Sequence, residues 1–196
     1  MPTRKTKKTA VTSNFLLNLA NDIYNPKTRR FLRLCNGKLQ NGPDPTDEER
    51  PMHCGLGELY FAMTGTQPEF DGVSEDDVVN LAVERSLFAG QADAKEKEAQ
   101  ASFRNAKSAI KKMKLRTSLE LALIETVENE QVDYDELDDE DKRSPEEQEF
   151  RDLLDEIPSV NDENCGHNTC SFEAYRKRSQ RVASKLRAAA KVLAEV

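Results

Sequence analysis

The chain has 196 residues, of which 33% are charged and 37% hydrophobic; it lacks tryptophan and carries a formal net charge of −7. This length suits one domain with a small extension and a core that needs no disulfides, and no apolar run approaches the roughly 18 residues of a membrane span. Four cysteines without an apolar leader segment favour a soluble, cytoplasmic protein whose thiols are reduced or bound to metal.

The start of the chain is basic and is followed by a helix. Residues 1–10 contain four basic side chains and no acidic one, so we interpret them as a disordered arm. Thr12 or Ser13 then provides a helix cap, and the apolar spacing predicts a helix that continues to about Tyr24.

A second helix is predicted to begin at Asn25 and Pro26. Proline favours the first turn of a helix and glycine the residue after its end, so this helix would stop before Gly37. The Asn-Gly pair at this point could instead be the turn of a hairpin. Residues 38–55 contain three prolines and are predicted to be a long irregular loop.

The middle of the chain predicts four more helices. Residues 56–64 form the first and are closed by Gly65, and Ser74 caps the next, whose first turn is acidic. Residues 92–130 read as two helices broken near Leu115. The second of these has apolar residues on several sides, which predicts that it is buried.

The C-terminal part combines an acidic linker with two helices. Residues 131–143 are too acidic and too poor in apolar residues to pack well, so we predict a linker or loop. Ser144 caps a helix, and a second irregular loop follows at 158–170. The last helix begins near Ser171 and carries an unbroken heptad pattern of apolar or small residues to Val196.

No segment shows the alternation typical of strands. We therefore predict an all-α fold, an irregular bundle of about six to eight helices with two long irregular loops and an acidic linker. Residues 11–130 would form the main helical domain, and residues 144–196 a helical pair that packs on it.

Both histidines lie next to cysteines in the two irregular loops. Thiolate and imidazole are the ligands that zinc prefers, and four of them close a structural site. The spacing C-x-H-x-x-C is not a standard finger pattern, so loop histidines and small buried thiols remain the alternative. Zinc is the one candidate cofactor, and its candidate ligands are His53, Cys54, Cys165, His167 and Cys170.

A thiol enzyme centred on Cys54 is a further alternative. Cys54 precedes a predicted helix, whose dipole would lower the thiol pKa, and His167 with Asn168 could supply a base and its orienting group. Folds with such sites usually contain sheets, and phosphate-loop, dinucleotide and zinc-deaminase patterns are absent. The sequence therefore favours a protein that is not an enzyme.

Charge is arranged in blocks along the chain. One basic stripe on the central helix comprises Arg104, Lys107, Lys111 and Lys114. A second basic group, on the last helix, contains Arg176, Arg178 and Arg181. The predicted acidic face consists of Asp133, Asp135, Glu136, Asp138, Asp139, Glu140 and Asp141. Basic and acidic blocks can neutralise each other within the fold, and the central stripe could pair with residues 133–156.

These patterns predict a binding or regulatory protein that acts by surface charge complementarity on a macromolecular partner, most simply another protein. Its acidic face could inhibit a nucleic-acid enzyme by imitating phosphates. The alternative is a nucleic-acid-binding protein that uses the basic arm and the stripe at 104–114. A sequence pI of about 5.1 counts against the alternative, because such modules usually exceed about 9.

Overall fold

The computed structural model describes residues 9–35, 40–44, 47–68, 72–135, 137, 141–162 and 171–196. Within them it contains seven α-helices and one antiparallel two-stranded hairpin, which confirms the predicted all-α bundle. The elements are α1 (Ser13–Ile23), β1 (Gln40–Asp44), β2 (Asp47–His53), α2 (Gly55–Thr64), α3 (Glu75–Glu84), α4 (Gln91–Lys112), α5 (Thr117–Asp135), α6 (Pro145–Asp162) and α7 (Phe172–Glu195). None of these helices combines the length and the apolar character that a bilayer span requires.

Contacts divide the chain into two compact units. Unit 1 contains Met1–Ala89 together with Pro145–Val196, and unit 2 contains Gly90–Ser144. Composition predicts boundaries at 130 and 144, whereas the contacts place the first boundary after α3. The long central helix α4 therefore belongs with α5 rather than with the helices before it.

The core of unit 1 lies where α7 packs against α1 and α6, with α2 packed on α3 and α6. Its fully buried side chains include Leu16, Ile23, Leu56, Leu59, Phe150, Leu154, Ile157, Val182 and Leu186. The predicted heptad pattern of α7 supplies much of this core. Its middle positions are buried, and its two ends, Phe172 and Val196, are exposed.

Helix ends in unit 1 follow the predicted capping residues. The Thr12 hydroxyl accepts a hydrogen bond from a backbone amide of α1, and Ser171 does the same for α7. Ser74 and Asp77 form a reciprocal capping box, and the hydrogen bonds that Ser74 donates lower the pKa of the Asp77 carboxyl. Gly65 ends α2 with a φ of 74°, a left-handed conformation that glycine adopts at little cost.

The helix predicted to begin at Asn25 is absent, and that prediction is wrong. Asn25 instead closes a turn: its amide donates to the Arg30 carbonyl at 2.9 Å, and its carbonyl accepts from the Arg29 amide at 2.8 Å. Tyr24 and Phe31 then pair as an isolated β-bridge. The asparagine side chain accepts from two amides within this turn, which favours the turn over a helix. The Asn-Gly turn considered at 36–37 lies outside the described residues.

Strands β1 and β2 pair antiparallel where an irregular loop was predicted. Gln40 pairs with His53 and Asp44 with Asp47, with register shifts around Pro43. Proline lacks the amide that a ladder requires, so the sequence pattern argued against a strand. In the second predicted loop, 158–170, α6 continues to Asp162, and residues 163–170 lie outside the described part.

Unit 2 contains the two predicted central helices, and Lys114, at a φ of 49°, lies in the break between them. The prediction that the second helix is buried is wrong, because α5 has no buried residue. In a two-helix hairpin, the partner helix covers only one side of each helix. Leu119 and Leu121 therefore remain 52% and 61% exposed. The helix also extends to Asp135, so the predicted linker at 131–143 is helical at its start.

Candidate functional site

Among the described residues, His53 is the most buried titratable side chain of unit 1, at 1% exposure. It is the last residue of β2, and Cys54 separates it from α2. Its Nδ1 lies 3.2 Å from Glu58 Oε1, and its Nε2 lies 2.6 Å from Gln67 Oε1. Both ring nitrogens therefore contact polar side chains inside the protein, and the ring also packs against Phe61.

Cys54, the neighbouring predicted zinc ligand, has a structural role. Its Sγ accepts a hydrogen bond from the Gly57 amide at 3.3 Å, which caps α2. Among the described residues no group of three or more His, Cys, Asp or Glu side chains is arranged to hold a metal. The other predicted ligands, Cys165, His167 and Cys170, lie outside the described part, so zinc binding stays a prediction.

The thiol-enzyme hypothesis depends on an accessible thiolate at Cys54. The residue does lie at the helix N-terminus, as predicted, but only 2% of it is exposed. Cys35 is buried as well, and burial together with the neighbouring Cys54 raises the pKa of the Cys35 thiol to about 12. A reactive cysteine needs solvent access and stabilisation of its thiolate, so these two thiols have the surroundings of core residues.

The non-helical segment at residues 31–35 is held by buried polar side chains of α6 and α7. The segment's own backbone carbonyls are the acceptors. Arg178 Nη1 donates to the Leu34 carbonyl at 2.8 Å, Asn161 Nδ2 to the Cys35 carbonyl at 2.6 Å, and Ser179 Oγ to the Leu32 carbonyl. Buried carbonyls without a helix or sheet partner need such donors.

The basic residues predicted as contacts on the last helix differ in their surroundings. Arg178 is 3% exposed, which places it in the interior and corrects its predicted surface position. Arg176 donates two hydrogen bonds to Glu173, at 2.8 and 2.6 Å, and these lower the pKa of the Glu173 carboxyl. Arg181 is half-buried. This group therefore does not form one continuous basic surface.

An open cleft of about 610 Å³ lies in unit 1 between the start of α1 and the end of α7. Half of its lining residues are apolar, and the others are Thr12, Ser13, Asn14, Ser86 and the one charged residue, Arg85. Arg85 Nη1 donates to the Met63 carbonyl at 2.6 Å.

In unit 2, α4 and α5 form an antiparallel pair, which we call the charged hairpin. Polar side chains join the two helices at intervals. Lys107 Nζ lies 3.4 Å from Glu128 Oε1 and 3.2 Å from Gln131 Oε1. Gln100 Nε2 donates to Asp135 Oδ1 at 2.9 Å, and the Phe103 and Tyr134 rings pack edge to face nearby.

The two helices of the charged hairpin carry opposite charge. Helix α4 contains six bases and three acids, and all three acids lie in its first eight residues. From residue 99 to Arg116, just past the end of the helix, there are six bases and no acid: Arg104, Lys107, Lys111, Lys112, Lys114 and Arg116. Helix α5 contains six acids and no base: Glu120, Glu125, Glu128, Glu130, Asp133 and Asp135. Within the described part of the chain, the pair Lys107–Glu128 is the one ion pair that joins α4 to α5. Arg104, Lys111 and Lys114 of the predicted stripe are exposed.

The predicted acidic face is described only in part. Asp133 and Asp135 lie on α5 and are exposed, as is Asp141. Glu136, Asp138, Asp139 and Glu140 lie outside the described residues. The described acids are accompanied by exposed apolar side chains on the same helix, which are Leu119, Leu121 and Val132.

Sequence reasoning missed the buried polar partners in unit 1. Glu58 and Asn161 are 5% and 1% exposed, and neither stands out by spacing. The one available signal was that Glu58 is the single charged residue of the largely apolar helix α2. A charged side chain in a helix that is otherwise buried needs a polar partner.

No protein-family model matches this chain, and no curated protein or solved structure was found to be similar to it. The functional conclusion therefore depends on the chain's own residues.

Proposed function

We propose that this protein is a non-enzymatic binding protein that docks a basic macromolecular surface through helix α5. The observation that carries the proposal is the composition and exposure of that helix. It has six acidic residues and no basic residue, and none of its side chains is buried.

Several acidic side chains of α5 are exposed and have no charged partner within the described part of the chain. Glu125, Glu130 and Asp133 are exposed, and in the described part of the chain none of them makes an ion pair or a hydrogen bond to another side chain. Complementary charge steers association and selects the partner. These three carboxylates are therefore the first residues to test.

Apolar side chains on the same helix would add affinity. Leu121 and Val132 are 61% and 53% exposed, and they lie among the acids. Interfaces commonly combine a desolvated apolar centre with a polar rim. A basic partner with an apolar patch would satisfy both parts of this surface.

The buried groups of unit 1 support a binding role over a catalytic one. His53 and Cys54 are 1% and 2% exposed and have partners within the fold.

A carboxylate-rich surface can also imitate a phosphate backbone. The basic groove of a nucleic-acid enzyme is thus one candidate partner, which this protein would inhibit.

A second candidate function is nucleic-acid binding through the other helix of the hairpin. Lys111, Lys112 and Lys114 are exposed and close together, which would favour contact with phosphates. The overall net charge of −7 opposes long-range attraction to nucleic acid.

The proposal is tested by fluorescence anisotropy with two probes and the full-length chain at low salt. One probe is a labelled helical peptide rich in lysine and leucine, and the other is a labelled DNA duplex. In the test variant, Glu125→Gln, Glu130→Gln and Asp133→Asn are combined. The matched control combines Asp22→Asn, Glu84→Gln and Glu149→Gln, which are exposed positions in unit 1, so both variants have the same net charge.

We expect the test variant to bind the peptide about tenfold more weakly, since three exposed charges contribute about 0.5 kcal/mol each. The control variant should bind like the unmodified chain. Equal weakening in both variants would mean that only net charge matters, and the proposal would fail. Tight DNA binding that is lost on Lys111→Gln, Lys112→Gln and Lys114→Gln would favour the second candidate instead.

A further inference from the structure

We infer that the basic surface which α5 fits is helix α4 of a second copy of this chain. In this arrangement two charged hairpins pair about a twofold axis and form a four-helix bundle. The inference rests on the proposed function, because it names the partner of the same acidic helix.

Unit 2, taken by itself, has almost no buried core. Among its described residues, Ile110 is the one buried apolar side chain, and α5 has none. Two helices cannot enclose a core between them, whereas four helices can surround one. A second hairpin would supply the missing layer.

Exposed apolar side chains are concentrated in this unit. Of the nine large hydrophobic residues that are exposed in the described part of the chain, five belong to unit 2. They are Met113, Leu119, Leu121, Val132 and Leu137. Leu121 and Val132 lie on the same side of α5, about three turns apart, and a second molecule that packs on this side would bury both.

Charge complementarity identifies that molecule as a second copy. Helix α4 has six bases and three acids, with no acid from residue 99 onward, and α5 has six acids and no base. A twofold axis that sets α5 of one copy against α4 of the other repeats the same favourable contact twice. Inside one copy these charges form a single ion pair, Lys107–Glu128, within the described residues, so most of them are available for an intermolecular contact.

The first measurement is sedimentation velocity of the full-length chain over a concentration series. We expect a reversible species of twice the 22.1 kDa chain mass. Leu121→Asn should shift the equilibrium toward the monomer and leave the helical circular dichroism signal unchanged. A chain that stays monomeric at every concentration would overturn the inference.

A charge exchange gives the sharper test. The acid-reversed variant combines Glu125→Lys, Glu130→Lys and Asp133→Lys; the base-reversed variant combines Arg104→Glu, Lys111→Glu and Lys114→Glu. Each variant alone should dimerise at least about tenfold more weakly than the unmodified chain. An equimolar mixture should form a heterodimer, because both of its interfaces again join opposite charges.

The matched control reverses three acids of unit 1, with Asp22→Lys, Glu84→Lys and Glu149→Lys, and should dimerise normally. The inference is overturned if either hairpin variant dimerises as well as the unmodified chain, or if the mixture remains monomeric. If one variant alone loses its helical circular dichroism signal, the equimolar mixture still decides between the outcomes. The signal should return in the mixture, because the heterodimer folds.

The two proposals fail in different ways. A chain that is monomeric but binds the basic peptide through Glu125, Glu130 and Asp133 keeps the proposed function and loses the second copy as partner. A chain in which these acids affect neither peptide binding nor self-association loses both.

Discussion

Lys107 Nζ lies 3.4 Å from Glu128 Oε1 and links a basic helix to an acidic one. The two side chains are 28% and 57% exposed, so water screens their attraction. Helices α4 and α5 thus lie side by side with opposite charge and pair directly at this one point of the described chain. The other bases of residues 104–116 are exposed, as are all the acids of α5 except Glu120.

The Lys107–Glu128 pair is expected to add little stability. Lys107→Met and Glu128→Gln should each lower the free energy of unfolding by less than about 1 kcal/mol, with a coupling of about 0.5 kcal/mol in the double variant. Urea unfolding followed by circular dichroism measures these values. A coupling above about 2 kcal/mol would mean that these charges serve to hold the hairpin together.

The contact between His53 and Glu58 should behave differently, because both side chains are buried. Glu58→Ala removes a carboxylate from a site that water does not reach, so we expect a loss of about 3 kcal/mol in unfolding free energy. Glu58→Gln keeps a hydrogen-bonding group and should cost less. The control is Glu84→Ala, at an exposed position. If this control lost as much unfolding free energy as Glu58→Ala, the buried contact with His53 would not be the cause of the loss.

Gly55 allows α2 to approach α6 and α7 closely. A Cβ at this position would lie 2.5 Å from Ile157 Cγ2 and 2.7 Å from Val182 Cγ1. Gly55→Ala should therefore lower the free energy of unfolding by about 1–3 kcal/mol through overpacking. Combining it with Val182→Ala should cost less than the sum of the two single changes. Strict additivity in urea unfolding would argue against the steric explanation.

Cys35 is expected to resist alkylation at pH 8.5, because its thiol pKa is raised to about 12 by burial and by Cys54. Mass spectrometry after iodoacetamide treatment should find Cys35 modified in urea and protected in the native protein. Rapid native modification would contradict the burial of this thiol.

The same pKa shift has a consequence for stability. The neutral thiol of Cys35 is favoured in the folded state, so its contribution is complete below the ordinary thiol pKa of 9.0 and is lost as the pH rises toward about 12. The difference in unfolding free energy between the unmodified chain and Cys35→Ala should therefore shrink over this range. A constant difference would contradict the shift.

Periodic packing was predictable from the sequence because it depends on spacing alone. The heptad positions Val182 and Leu186 are buried in α7 as their pattern indicates, and Ser74 caps α3 as its position predicts. Such features depend on residues within one or two turns of each other.

Features that depend on distant partners were not predictable. Arg178 looks like a surface base, yet it donates to the carbonyl of Leu34, 144 positions away. The sequence of α5 suggests a buried helix because its apolar residues point in several directions. Nothing in that sequence indicates that α5 packs against a single helix, which covers only one of its sides. The pairing of β1 with β2 was hidden by Pro43 and Pro51, which face each other in its register.

The most direct test of a binding role for α5 is hydrogen–deuterium exchange of the full-length chain with and without the lysine- and leucine-rich peptide. The account predicts slower exchange in the proteolytic fragments of the chain that cover Thr117–Asp135. Fragments that cover Pro145–Asp162 are the control and should not change, because this helix is also acidic in its first turn but belongs to unit 1. Protection of Pro145–Asp162 instead, or no protection of Thr117–Asp135 at saturating peptide, would contradict it.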